Sequence, residues 1–142
     1  NEFLWAGANN PIYMIKNGIL EKIKADKQPI GYYPDIKPFT NHSFQLQKGD
    51  CFYIFSDGYA DQFGGPYGKK FKYKQLEELI LENSHLPMAQ QRAIYKKAFL
   101  AWKGELDQID DVCLVGARVG ENLGFLDLKI RANVQQTIVN TQ

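Results

Sequence analysis

The run Cys51-Phe52-Tyr53-Ile54-Phe55 is apolar at every position and stops abruptly at Ser56-Asp57-Gly58. An unbroken apolar run of strand length, rich in aromatics and bounded by turn formers, reads as a central strand covered on both faces. A strand of that kind requires a layer on either side of it. A second mostly apolar run, Val112 to Val119, follows Asp110-Asp111 and has the same character. Between the two runs the period changes. From Lys72 to Asn83, Tyr73, Leu76, Leu79 and Ile80 recur at helical spacing among Lys, Gln and Glu. Pro87, tolerated in a first turn, opens a second helix that presents Gln91, Ile94, Ala98, Phe99 and Trp102 on one face up to Gly104. These adjacent helices supply one layer.

The first third of the chain reads as strands punctuated by turns. Phe3 to Ala6 and Pro11 to Ile15 are followed by Asn17-Gly18, whose residues both tolerate the positive φ of a type I′ hairpin, and by a returning strand Ile19 to Ile23. Gln28 to Pro38, with its prolines, Gly31 and adjacent tyrosines, is a loop with its own packing. Ser43 to Gln47 alternates as a strand, and Lys48-Gly49-Asp50 turns the chain into the central run. The segment around Gly64-Gly65-Pro66-Tyr67-Gly68 is too punctuated for helix or strand. After Gly120 the apolar residues Leu123, Phe125, Leu126, Leu128 and Ile130 fit no element. Strands, then helices, then a last strand indicate an α+β layered architecture with antiparallel pairing, and a parallel doubly wound sheet fits poorly.

Length and charge limit the function classes. The 142 residues have the size of one domain or a piece of one. Seventeen basic against sixteen acidic residues leave a net charge of +1, so no overall field favours nucleic acid or an anionic membrane. Cys51 and Cys113 lie in separate apolar runs with no second Cys or His at metal-ligand spacing, which disfavours zinc. Free thiols of a reducing compartment are expected, hence the cytoplasm, although spacing alone leaves a long-range Cys51–Cys113 bridge open. No apolar stretch approaches the roughly 20 residues of a membrane span, and the start at Asn1 has neither Met nor the regions of a signal peptide. A cut inside a longer polypeptide is the expectation.

Topology gives the carboxylates their interest. Asp57 leaves the end of one buried strand, and Asp110 and Asp111 stand at the beginning of another. If those strands pair antiparallel, both ends lie at one edge of the sheet and the carboxylates converge. Converging like charges need a cation between them, and a hard divalent ion such as Mg²⁺ or Mn²⁺ suits oxygen ligands. The plain alternative is an Asp-Gly turn after one strand and a solvated acidic loop before the other. Spacing leaves both readings standing.

Five segments in order add a resemblance: Trp5-Ala6-Gly7-Ala8-Asn9-Asn10-Pro11, Gln28-Pro29-Ile30-Gly31, Lys48-Gly49-Asp50, Phe55-Ser56-Asp57-Gly58-Tyr59-Ala60-Asp61-Gln62 and Gln108-Ile109-Asp110-Asp111-Val112. Over Phe3 to Val119 the chain resembles the SpoIIE-type branch of the metal-dependent protein serine/threonine phosphatases, the PPM or type 2C fold. The resemblance implies that residues 1–119 form the C-terminal part of an α-β-β-α sandwich, leaving 120–142 as a tail of unknown role. It implies that Asp57 and Asp110 are inherited metal-ligand positions, with Asp111 a second choice because relatives often carry Asn there. The Ala6-to-Asn10 turn departs from the Ala-Gly-His form of relatives and is given a structural role.

The implied reaction is hydrolysis of phosphoserine or phosphothreonine on a signalling protein, by analogy a STAS-type anti-anti-sigma factor, by water held between two Mn²⁺ or Mg²⁺ ions. No enzyme nucleophile is required, and His42 and His85, in polar contexts, are expected at the surface. The family's bridging aspartates lie upstream of the matching region. Asp26, Asp35, Asp50 and Asp61 do not stand in their context, so these residues alone are expected to be inactive. Two further expectations follow: a non-catalytic, partner-binding module as the alternative function, and self-association through uncovered sheet edges.

Overall fold

The computed structural model describes residues 2–32, 34–120 and 135–141, the last of these by backbone alone. The elements in chain order are β1 (Glu2–Trp5), β2 (Ile12–Lys16), β3 (Ile19–Ile23), β4 (His42–Gln45) and β5 (Cys51–Phe55). The one-turn helix α1 (Gly58–Asp61), β6 (Phe63–Gly64), β7 (Lys69–Lys70), α2 (Tyr73–Asn83), α3 (Met88–Lys103), β8 (Val112–Arg118) and β9 (Gln135–Thr141) follow. The order β3-β2-β5-β8-β9 makes a five-stranded sheet in which every neighbouring pair is antiparallel. This is the α+β class expected, with β5 at the centre.

Local chemistry explains the boundaries. Asn17 and Gly18 take φ of 50° and 76°, so β2 and β3 close through the type I′ turn that twisted strands favour. The last turn of α3 ends where Gly104 adopts φ 54° and its N–H reaches the Leu100 carbonyl. Pro87 stands just outside α3 rather than within its first turn, where its missing N–H costs nothing.

The core lies between the sheet and the helices. Tyr13, Tyr53 and Phe55, with Val112 and Leu114, meet Leu76 and Ile80 of α2 and Met88, Tyr95 and Phe99 of α3. Burying the Tyr95 ring requires its hydroxyl to be satisfied, and Gln91 does this: its Oε1 accepts both the Tyr53 and the Tyr95 hydroxyl at 2.8 Å. The Gln91 Nε2 group donates to the carbonyls of Ser84 and Leu86, which also accept from Arg118. The Gln91 amide thereby ties β5, and Arg118 ties β8, to the turn between α2 and α3. Burial drives the Tyr53, Tyr59 and Tyr95 hydroxyls far above the usual phenol range, so all remain protonated donors.

The opposite face of the sheet is covered only in part. The two-stranded β1–β4 sheet sets Phe3, Trp5 and Phe44 over Ile12, Met14, Leu46 and Val119. Among the described residues this cover stops toward the far end of β5, and Ile54 is 40% exposed. The expectation of a central strand covered on both faces therefore fails at Ile54. A cavity of about 280 Å³ opens there between Trp5, Ala6, Ile54, Ser56, Cys113 and Val115.

Other differences from the sequence reading have local causes. The glycine-rich segment holds α1 and the β6–β7 hairpin, because close packing on Trp102 compensates for poor propensity: the Gly65 N–H donates to the Trp102 carbonyl at 2.7 Å. A Cβ on Gly64 would stand 1.8 Å from that same oxygen. His42 opens β4 with its ring 5.5 Å from that of Trp5, rather than lying in a loop. Past Gly120, residues 135–141 form a strand along the whole of β8, from Val112↔Thr141 to Arg118↔Gln135. Leu123, Phe125, Leu126, Leu128 and Ile130 lie outside the described residues. Both cysteines are free. Cys51 pairs with Arg118, five residues or roughly 17 Å along β8 from Cys113, and the two face opposite sides of the sheet, so no bridge can form.

Candidate functional site

The register of β5 on β8, ending in Phe55↔Leu114, brings the exit of one strand and the beginning of the other to the same edge. The ladder continues one step further, with the Ser56 N–H donating to the Cys113 carbonyl at 2.9 Å. There the Ser56 side chain takes over from the backbone. Its Oγ donates to the Asp111 carbonyl at 2.8 Å and accepts from the Cys113 N–H at 3.0 Å. Gly58 packs closely on the same carbonyl, since a Cβ at that position would lie 2.4 Å from the Asp111 oxygen and 3.0 Å from its carbonyl carbon. Ser56 and Gly58 thus clamp the Asp110–Asp111 backbone against the residue between them, Asp57.

The carboxylates themselves are exposed. Asp57 occupies the N-cap position of α1 yet makes no side-chain cap bond, so the usual structural use of an Asp-Gly turn is not made of it. Asp110 turns one carboxylate oxygen to the Asp111 N–H at 2.7 Å, while its carbonyl accepts from Gln108 Nε2 at 2.9 Å. The Tyr73 hydroxyl is raised above its ordinary range, by burial first and then by the charges of Asp57 and Asp61, which sets the start of α2 beside this edge.

Asp57, Asp110 and Asp111 therefore occur on one edge, and three of the four acidic residues set aside in the sequence have other duties. Asp26 accepts from the N–H and hydroxyl of Thr40, Asp50 accepts from the Gln47 N–H in the turn before β5, and Asp61 pairs with Lys70 at 3.1 Å. The donors suit a hard divalent cation in kind, being carboxylate oxygens with no cationic side chain paired to them among the described residues. They do not suffice in number. Among the described residues no group of three or more His, Cys, Asp or Glu side chains could hold a metal ion.

Two features of this edge had no sequence signal beyond the motif itself. The clamp by Ser56 and Gly58 depends on the register of two strands far apart in the chain. Lys72, just before α2, adopts φ 74° and ψ 148°, a region populated almost only by glycine and costing about 1–3 kcal/mol for other residues. The N–H groups of Phe71 and Lys72, donating to Gln62 and Ala60 carbonyls at 2.9 and 2.7 Å, hold it there.

The turn Ala6 to Asn10 is held by its own backbone hydrogen bonds. Asn9 takes φ 61°, and hydrogen bonds from Asn9 to the Asp26 carbonyl and from Asp26 to the Gly7 carbonyl fasten it to the neck of the 26–40 loop.

Comparison with known proteins agrees with this geometry. Residues 2–120 match the family described as Stage II sporulation protein E (SpoIIE). Among solved structures, the SiaA-PP2C domain of Pseudomonas aeruginosa is similar with a TM-score of 0.72 and 24% identity, over 82% of this chain and 46% of that one. The phosphatase domain of the cell fate determinant SpoIIE from Bacillus subtilis (Mn presoaked) is similar with a TM-score of 0.56 and 19% identity, over 85% of this chain and 51% of that one. The chain spans about half the length of these solved domains, and the likeness is one of fold. No curated protein matches it. With the match extending through nearly all of the sheet and both long helices, the chain belongs to the SpoIIE family.

Proposed function

We propose that this chain contributes one half of a metal-dependent serine/threonine phosphatase site, removing phosphate from a signalling phosphoprotein of the STAS type. The observation that carries the reading is the pairing of the β5 exit with the β8 start, which sets Asp57 and the Asp110–Asp111 peptide on one clamped edge. Asp57 and Asp110 are the residues that would hold Mn²⁺ or Mg²⁺, with Asp111 as their neighbour. A divalent ion bound there would supply Lewis-acid chemistry toward a phosphoryl group. What the chain's own residues do is fix donors. Ser56 orients the Asp111–Val112 peptide, one residue beyond Asp110, and Gly58 lets that peptide approach, so the backbone on which the carboxylates stand is fixed before any cation arrives. The remaining ligands are assigned to the rest of a SpoIIE-type domain, since the solved relatives are about twice as long as this chain.

The test is Asp57→Asn in the full-length protein, which should abolish Mn²⁺-dependent hydrolysis of an aryl phosphate while the thermal midpoint stays close to that of the parent. Full activity in that variant sinks the assignment. The shortage of donors supports a second reading, a phosphatase-like module that recognises a partner without turnover. Parent protein that binds a phosphoprotein but shows no Mn²⁺-dependent hydrolysis would favour that module.

A further inference from the structure

Lys72 pairs a strained backbone with a charge that has no ion pair among the described residues. Its φ of 74° is one that glycine adopts freely, and the preceding segment uses glycine where the fold requires it, at Gly65 with φ 66° and Gly68 with φ 58°. A lysine in such a place is retained for its side chain, because the backbone alone would be better served by glycine. The surroundings say what that side chain is for. Lys69, Lys70, Lys72 and Lys74 fall within six residues of an exposed hairpin and helix start. Lys70 is engaged by Asp61 and lies over the Phe63 ring, and Lys74 stands 3.9 Å from Glu78. Among the described residues Lys69 and Lys72 have no ion pair.

The patch is fixed to the carboxylate edge. The Lys72 N–H bonds the Ala60 carbonyl of α1, three residues from Asp57, and the neighbouring Tyr73 ring lies 6.4 Å from that of Phe55, two residues before Asp57. Cations distributed along a hairpin match an extended run of carboxylates better than a single phosphate. We propose that Lys72, together with Lys69, is a specificity-determining contact for acidic residues flanking the phosphoserine of the protein substrate. This rests on the phosphatase reading of the adjacent edge for its position, and on the lysines alone for its charge preference.

The experiment measures binding of two labelled phosphoserine peptides to the full-length protein by fluorescence anisotropy, one with Asp/Glu flanks and one with Ser/Gly flanks, alongside Mn²⁺-dependent release of phosphate. Wild type should prefer the acidic peptide by about three- to tenfold at low salt, and less as salt rises. Lys72→Gly should lose most of that preference while its thermal midpoint rises by about 3–6 °C from relief of strain. Lys72→Arg should keep the preference. A K72G variant that still distinguishes the peptides, or a wild type that never does, overturns the proposal. Preferential binding without phosphate release would leave the contact standing and sink the phosphatase reading instead.

Discussion

Replacing Gly58 by alanine tests the clamp at the strand ends most directly. The new Cβ would sit 2.4 Å from the Asp111 oxygen, whereas ordinary contact begins near 3.4 Å, so the Asp111–Val112 peptide must retreat by about 1 Å. Ser56 Oγ now donates to that oxygen across 2.8 Å, and a shift of that size away from Ser56 opens the gap to about 3.8 Å, beyond hydrogen bonding. The lost bond costs about 1 kcal/mol and the forced repacking about 1–3 kcal/mol more. Against this stands about 0.5–1 kcal/mol gained by exchanging glycine for alanine in the first turn of α1. The net is a loss of about 2 kcal/mol, or about 6–10 °C in thermal midpoint at this chain length. Urea unfolding measures the first number and calorimetry the second. Because the displaced peptide follows Asp110 by one residue, Mn²⁺ affinity by titration calorimetry should fall by about 10- to 100-fold in the same variant. Ser56→Ala removes the bond without the push and should lie between wild type and G58A on both scales. A G58A protein within about 0.5 kcal/mol of wild type, binding Mn²⁺ as before, would show that the two strand ends are not held together in this way.

Two further predictions use the rest of the molecule. The Thr40 N–H, and then its hydroxyl, hold the Asp26 carboxyl below its ordinary range, so the stabilisation they give is present above the unfolded value near 3.9 and is lost as pH falls through the lower folded value. Asp26→Asn should flatten the fall in urea midpoint below about pH 4, and an unchanged acid limb would refute the clamp on the 26–40 loop. Cys51 is buried with its thiol pushed up by desolvation, while Cys113 lines the open cavity, so a thiol reagent at pH 8 should label Cys113 in the folded protein and both only in denaturant; equal labelling of the two in the folded state would contradict the burial of Cys51.

Most elements were legible because local chemistry and global packing agree. Asn17-Gly18, the uninterrupted run at Cys51–Phe55 and the period of α2 each point to one structure, and each forms it. The errors fall where packing outweighs local pattern. Gly64 and Gly65 read as breakers, yet Trp102 occupies the space that their missing side chains leave, and a hairpin forms around it. Gln91 was assigned to the buried face of α3, but its reason for being there, two tyrosine hydroxyls and two loop carbonyls, depends on residues from Tyr53 to Tyr95 that only the folded chain assembles. At the candidate site the carboxylate positions were readable from strand order. The clamp was not, because a serine and a glycine beside an aspartate carry the same letters whether or not a second strand stands against them.

The uncovered apolar surface and the shortfall in ligands occur at the same end of the sheet, and this coincidence bears on how the site would be completed. Ser56, whose hydroxyl holds the Asp111 carbonyl, also lines the cavity floored by Ile54, Cys113 and Val115. Any polypeptide layer covering Ile54 and Val115 must therefore run alongside Ser56 and end beside Asp57. Such a layer would remove apolar surface from water, worth about 25 cal/mol for each Å² covered. It would also bring its own side chains within reach of two carboxylates that lack a third. Completion of the core and completion of the metal site would then be a single event: the cation would bind the covered state and hardly at all the open one, and cover and cation would stabilise each other by the same free energy. A site built in this way has its donors fixed on one side by Ser56 and Gly58 and remains sensitive, on the other, to whatever holds the covering layer in place.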